Sequence, residues 1–323
     1  MFLDSETMAS RKNLNLFLFT VTIVLSISSL FIYVTSVPSR TVTVLPWGNW
    51  STSSPWAGDR ECGEFVTRIV KPGTIPSRAL ASFPGSGNTW IRYLIEGASG
   101  IYTGSIFNDK SIASAGHNGE MRNFRDGSTI LQKTHHRALY DVPAYMKYSL
   151  QWRTNHIKMF EGRAVVVVRN PFKAILSYWN YISTRSHTAS ANNNSLLSPK
   201  FRDFGFVGIN RWYEVISDWL DYGTDVYFVF YEDLQENPVN EIKSLFDHLG
   251  MELDPNRLEC VQKHLTGSFE RKKHIDENPF SLDHQALFRL VIDLASKRIE
   301  EKTGKSLPVH KYTYYKKDTT NVP

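Results

Sequence analysis

A chain of 323 residues has room for one large domain with appendages, or for two modest ones. Its 41% apolar and 21% charged residues are those of a folded protein, and a count of two cysteines excludes a cysteine-rich module. The net charge of +5 suits a solvated surface or an anionic ligand and does not choose between them.

In chain order, Leu14 to Val37 comes first: no charged residue, and dense in Leu, Phe, Ile and Val. As a helix this stretch rises about 36 Å, enough to cross a hydrocarbon core of roughly 30 Å. It exceeds the apolar region of about 7–15 residues of a secretory signal peptide, and no small-residue cleavage pattern follows it. Arg11 and Lys12 precede it directly, and only Arg40 lies close behind. The positive-inside bias therefore leaves the N-terminal tail in the cytosol and sends the body to the lumen. The expected organisation is a cytosolic tail over 1–13, a transmembrane anchor over 14–37, a lumenal stem over 38–75 and one domain over 76–323. Asn49-Trp50-Ser51 and Asn193-Asn194-Ser195 read as N-glycosylation acceptors. Cys62 and Cys260 read as one disulfide or as two buried thiols.

Beyond the Pro- and Ser/Thr-rich stem, short β-rich runs alternate with helical patterns. Ala79–Phe83 predicts a buried strand, followed by a Gly-rich turn and a helix to about Glu96. Thr129–Lys133 predicts a second strand. Arg163–Val168, with four consecutive valines, predicts a strand covered on both faces. A helix follows over about Pro171–Ile182, with Pro in its first turn. Ser186–Lys200 reads as a surface loop, Gly208–Leu220 as a helix, Val226–Tyr231 as a strand, and Pro238–Leu249 as a helix stopped by Gly250. A last amphipathic helix covers about Ala286–Lys302. The alternation predicts an α/β fold of three layers, with a mostly parallel central sheet and a P-loop-like nucleotide-binding core.

Three segments carry chemistry. In Ser82-Phe83-Pro84-Gly85-Ser86-Gly87-Asn88-Thr89-Trp90, two glycines allow a tight strand-to-helix turn whose amides converge at a helix N-terminus, an anion nest. The Lys of a Walker A loop is absent, and a plain strand–helix turn competes with the nest reading. In Val165–Pro171, Arg169 emerges at the C-terminal edge of a buried strand, with Ser177 eight positions on; a guanidinium fork and a hydroxyl can clamp a phosphate. In Gln132-Lys133-Thr134-His135-His136, a cation and an imidazole two apart share one side of a strand end, which suits general-base work.

Together these segments resemble the PAPS-dependent sulfotransferase superfamily, PAPS being 3′-phosphoadenosine 5′-phosphosulfate. Pro84–Trp90 is similar to its 5′-phosphosulfate loop. Arg169 and Ser177 fall where the family holds the 3′-phosphate, and Lys133-Thr134-His135 resembles the motif that supplies the catalytic base. Tyr231-Glu232-Asp233-Leu234 resembles the strand-end motif whose Tyr lies beside the adenine. Phe269-Glu270-Arg271-Lys272 resembles the late basic motif that returns to the 3′-phosphate. The resemblance covers about residues 76–303, and the wording of the loop is similar to the sulfotransferase region of the WSC-domain-containing, Golgi carbohydrate-type sulfotransferases.

That resemblance implies a Golgi membrane enzyme, a glycan or glycoprotein acceptor (sialylated glycans included), no metal and no nucleic-acid partner. His135 is then the base, and Lys133 with the amides of Gly85, Ser86, Gly87, Asn88 and Thr89 holds the sulfonate and leaving phosphate. Trp90 and Tyr231 flank the adenine, while Arg169, Ser177, Arg271 and Lys272 take the 3′-phosphate. One departure stands out: Gly85 occupies the place of a Lys that many cytosolic relatives carry. Lys133 is the first candidate to replace that charge and Arg92 the second. The same departure motivates an alternative, a catalytically silent sulfotransferase fold that binds glycans.

Overall fold

The computed structural model describes residues 48, 52–135, 149–186, 189–266 and 278–315. The expected anchor and Asn49 lie outside the described residues. Among the described residues, no helix is long and apolar enough to cross a membrane.

Strand β1 (Ala79–Ser82) runs through the Gly-rich loop into helix α1 (Asn88–Ser99). A two-residue strand β2 (Gly104–Ser105), a short helix α2 (Lys110–Ser114) and a 3₁₀ turn at Asn118–Met121 lead to β3 (Gln132–Thr134). Helix α3 (Leu150–Lys158) precedes β4 (Arg163–Val168), whose valines favour a pleated, fully covered strand. Helix α4 (Pro171–Thr184) starts where Asn170 caps the Phe172 amide and Pro171 fills the first position. Then follow α5 (Asn193–Leu196), the long α6 (Pro199–Tyr222) and β5 (Asp225–Phe230). Helices α7 (Tyr231–Glu236), α8 (Pro238–Leu249), α9 (Pro255–Lys263) and α10 (Leu282–Thr303) complete the main elements.

The sheet is parallel throughout, in the order β2-β3-β1-β4-β5. Residue alternation splits its side chains between two cores. On one face Ala79, Ala81, Ala164, Val166 and Val168 pack with Phe172, Trp212 and Phe288 from α4, α6 and α10. On the other, Leu80, Val165 and Val167 pack with Ile91 and Leu94 of α1 and with Leu245 and Phe246 of α8. The expected three-layer parallel α/β architecture is the observed one.

Local differences have local causes. The strand read as Thr129–Lys133 pairs only over Gln132–Thr134; ahead of it the Ile130 amide donates to the Tyr102 carbonyl, and Gln132 Nε2 donates back to Thr129 Oγ1. The helix read from Gly208 begins at Pro199, where Ser198 caps the Phe201 amide. From the stretch expected to be stem, Trp56, Cys62 and Val70 join the second core. The cysteine alternative resolves as a disulfide between Cys62 and Cys260, 198 residues apart.

Candidate functional site

The strand order places β1 at the centre, with the chain progressing to β3 on one side and β4 on the other. This is the switch point at which open α/β sheets bind ligands beyond their carboxyl ends. The Gly-rich loop after β1, Lys133 and His135 at β3, and Arg169 after β4 therefore come from three adjacent strand ends.

The loop turns through two left-handed glycines, Gly85 (φ 81°) and Gly87 (φ 82°). A side chain at Gly85 would begin 3.0 Å from Ser177 Cβ, and one at Gly87 would begin 2.7 Å from Tyr231 Cδ2. Gly87 leads into α1 without any side-chain cap, so the helix start presents its amides and the positive end of its dipole. Ser86 is buried, and its Oγ has no hydrogen-bond partner among the described residues. Asn88 behaves otherwise: its Nδ2 reaches back to the Leu80 carbonyl and Ser82 Oγ, each at 3.2 Å, bracing the loop on β1. Thr89 and Trp90 are partly exposed beside it.

Arg169 lies across the loop. Its Nη1 donates to the Gly85 carbonyl at 2.7 Å, and its guanidinium sits 4.3 Å from the centre of the Tyr231 ring. Ser177 meets the same loop from α4. Tyr231 and Trp90 touch edge to face at 5.4 Å, and Trp90 Nε1 donates to the Leu265 carbonyl. The two rings therefore form one wall beside the loop and do not face each other across a slot. Arg271, Lys272 and His136 lie outside the described residues.

The register pairs Leu80 with Lys133, so Lys133 and, two positions on, His135 face the α1 side of the sheet. His135 Nδ1 lies 3.0 Å from the Ser82 carbonyl. The same Nδ1 lies 3.2 Å from Ser82 Oγ. A carbonyl only accepts, so its contact is a hydrogen bond in the tautomer with the hydrogen on Nδ1, which places the ring's lone pair on Nε2. The ring stacks on Phe107 at 5.5 Å, and the Lys133 ammonium sits 5.6 Å from the centre of that same ring. Burial, aided by the Arg92 charge, pushes Lys133 down to about 8.

Arg92 is not a substitute for the missing loop cation. Its Nη1 pairs with Glu120 at 2.5 Å, both side chains are fully buried, and its Nε donates to Thr103. His156 lines a small cavity together with His135, Thr134 and Trp219. Its Nε2 lies 3.2 Å from Thr134 Oγ1, and burial pushes it down to about 3, so it stays neutral. Asp59, Cys62 and His264, which no spacing rule singled out, have ligand atoms within 4.8 Å of one another, with the Cys62 sulfur bonded to Cys260.

The motifs missed Phe107, because a single aromatic in a connection carries no periodic signal. They also missed Lys173, although its place midway between Arg169 and Ser177 was readable as a four-residue interval.

Comparison with known proteins points to one family. The family profile described as Sulfotransferase domain matches residues 78–286. A WSCD family member of Aedes aegypti is 32% identical over 208 residues, which is 63% of this chain and 60% of that protein. One of Drosophila melanogaster is 31% identical over 201 residues, 61% of this chain and 57% of that protein. The chain thus matches about 60% of the length of these curated relatives. The solved structure of mouse sulfotransferase SULT7A1 complexed with PAP overlays with a TM-score of 0.45 at 15% identity, covering 73% of this chain and 99% of that one. With its profile match spanning β1 to the start of α10, the chain belongs to the sulfotransferase family and stands close to its WSCD members.

Proposed function

We propose that this chain is a PAPS-dependent sulfotransferase that moves a sulfuryl group to a hydroxyl of a glycan acceptor, with His135 as general base. The observation that carries the reading is the His135 Nδ1 hydrogen bond to the Ser82 carbonyl. It seats the ring beside the anion-binding loop, and with the hydrogen on Nδ1 the lone pair falls on Nε2.

The residues present fit the donor. Among the described residues Ser86 Oγ is buried without a partner, the start of α1 has no side-chain cap, and Arg169 spans the loop and the Tyr231 ring. The amides of residues 85–89 and Ser86 would hold the phosphosulfate. Arg169 and Ser177 would hold the 3′-phosphate, joined by Arg271 and Lys272, and the wall made by Tyr231 and Trp90 would take the adenine. Bound PAPS supplies an activated sulfuryl group with a bisphosphate nucleotide as leaving group. His135 Nε2 accepts the proton of the acceptor hydroxyl, while Nδ1–H stays on the Ser82 carbonyl and keeps the ring oriented. Protonated Lys133 adds positive charge in a water-poor place, where it acts more strongly than in solvent. Positioning and electrostatics supply most of such a rate, as in phosphoryl transfer.

The WSCD-like wording of the loop supports the glycan acceptor. The apolar stretch Leu14–Val37 and its flanking charges support a type II Golgi membrane placement with the body lumenal, and a disulfide fits an oxidising compartment.

The test incubates the full-length chain with labelled PAPS and a glycan panel. Label is expected on a glycan, and His135→Ala is expected to lower turnover by about 10²–10⁴-fold while donor affinity holds. Tight nucleotide binding with no transfer to any acceptor would instead favour the silent glycan-binding alternative. Full turnover in the His135 variant would remove His135 as base.

A further inference from the structure

Across the first two turns of α4, Pro171–Tyr178, the side chains are buried except at two positions, Lys173 and Ser177. Arg169, Lys173 and Ser177 follow one another at intervals of four, a single stripe along the helix and its lead-in. Both ends of that stripe meet the same piece of backbone. Arg169 Nη1 donates to the Gly85 carbonyl at 2.7 Å, and Ser177 Cβ lies 3.0 Å from where a side chain at Gly85 would begin. Lys173 stands between them, and a helical side chain leans toward the N-terminus, here toward Arg169.

The charges along this stripe are unbalanced. Among the described residues, no carboxylate lies within 4 Å of the Lys173 ammonium or the Arg169 guanidinium, each of which rests on an aromatic ring. For Lys173 that ring is Tyr314, at 5.2 Å. Glu232, the acid whose charge couples to Arg169, is half-buried, and its Oε1 accepts the Asn170 amide at 3.0 Å. Burial and the neighbouring Arg169 charge both lower the Lys173 pKa. Two cations held side by side in partly desolvated surroundings repel each other, and the arrangement becomes favourable once a dianion lies between them.

We propose that Lys173 is a further protein contact to the 3′-phosphate of the donor nucleotide, standing between Arg169 and Ser177 and giving the donor site a positive charge that Gly85 does not carry. The inference rests on the PAPS reading above. It adds a residue to which neither the loop motif nor the strand-end motif assigns a role.

Calorimetry on the full-length chain in detergent tests it with two ligands: 3′-phosphoadenosine 5′-phosphate, and 5′-AMP, which lacks the 3′-phosphate. Wild-type protein is expected to prefer the bisphosphate strongly, and Arg169→Ala to lose that preference. Lys173→Met is expected to weaken the bisphosphate about ten-fold and to leave 5′-AMP unchanged, with Lys173→Arg restoring most of the loss. Bisphosphate affinity unchanged in Lys173→Met overturns the proposal, as does an equal loss for both ligands. If wild-type protein does not discriminate the two nucleotides, the donor reading itself fails, whatever the variants do. Lys173→Gln is the second probe of folding. If the Met, Gln and Arg variants all melt below wild type and bind neither nucleotide, Lys173 belongs to folding and the proposal is overturned.

Discussion

Lys133 concentrates the conflict between stability and the proposed chemistry in one side chain. Its ammonium is almost fully buried and its pKa sits at about 8, against 10.5 for an ordinary lysine. Between those values the unfolded chain binds more protons than the folded one, so stability rises as pH climbs from 8 to 10.5. Below pH 8 the full penalty applies, up to about 3 kcal/mol. Lys133→Met should therefore melt higher than wild type at pH 7, lose the stability gain above pH 8, and turn over far more slowly. The same protonation sets the expected pH profile: kcat/KM of the wild-type protein should fall as pH rises through about 8, as the positive charge beside His135 is lost. Thermal melts and initial rates check both. A Met variant that melts lower than wild type, or a flat rate from pH 7 to 9, would contradict this account of Lys133.

Among the elements, the loop between β1 and α1 is shaped by the helix beneath it. Gly85 has a left-handed backbone and sits against α4, with the Ala174 carbonyl and Ser177 Cβ where a side chain would go. Restoring the lysine of the cytosolic relatives should fail for this reason. Gly85→Lys is expected to cost at least about 1–2 kcal/mol from the backbone alone, before any collision, and to weaken nucleotide binding. A Gly85→Lys protein with wild-type melting and higher turnover would refute it.

How far these elements could be read from sequence depended on how local their signals were. Four valines announced β4, and Pro171 and Gly250 marked helix ends, because burial on both faces and special backbone angles leave direct traces. Helix α9 left less, since its second turn mixes charged and polar residues with Leu258, Cys260 and Val261 and its burial depends on a partner 198 residues away. In the site, the loop glycines, Lys133, His135 and Arg169 were legible because strand ends and glycines define them. Phe107 was not, since only the fold brings its ring to His135. Asn88 was legible as a loop residue, but not as the brace that its side chain makes to β1.

For the molecule as a whole, the disulfide ties the segment around Trp56 to α9. Trp56 stacks on His264, its Nε1 donates to Tyr93 Oη, and Tyr93 Oη donates to the His264 carbonyl. The next residue, Leu265, accepts from Trp90 in the proposed donor wall. A double Cys62→Ser, Cys260→Ser variant should lose about 2–4 kcal/mol of stability, with the first proteolytic cuts falling within 52–75. Donor affinity should fall with it, because the Leu265 carbonyl loses its fixed support. Equal melting temperatures for wild-type protein with and without reductant would show that the bridge holds nothing in place.

The order of synthesis gives this bridge a further meaning. Cys62 leaves the ribosome 198 residues before its partner. At roughly 5–20 residues per second its thiol waits on the order of 10–40 s. The chain holds two cysteines in all, so no wrong intramolecular pairing exists during that interval. The hazard in the nascent chain is capture by another molecule's thiol, and it ends only when the sheet and the three strand ends of the site have already been made.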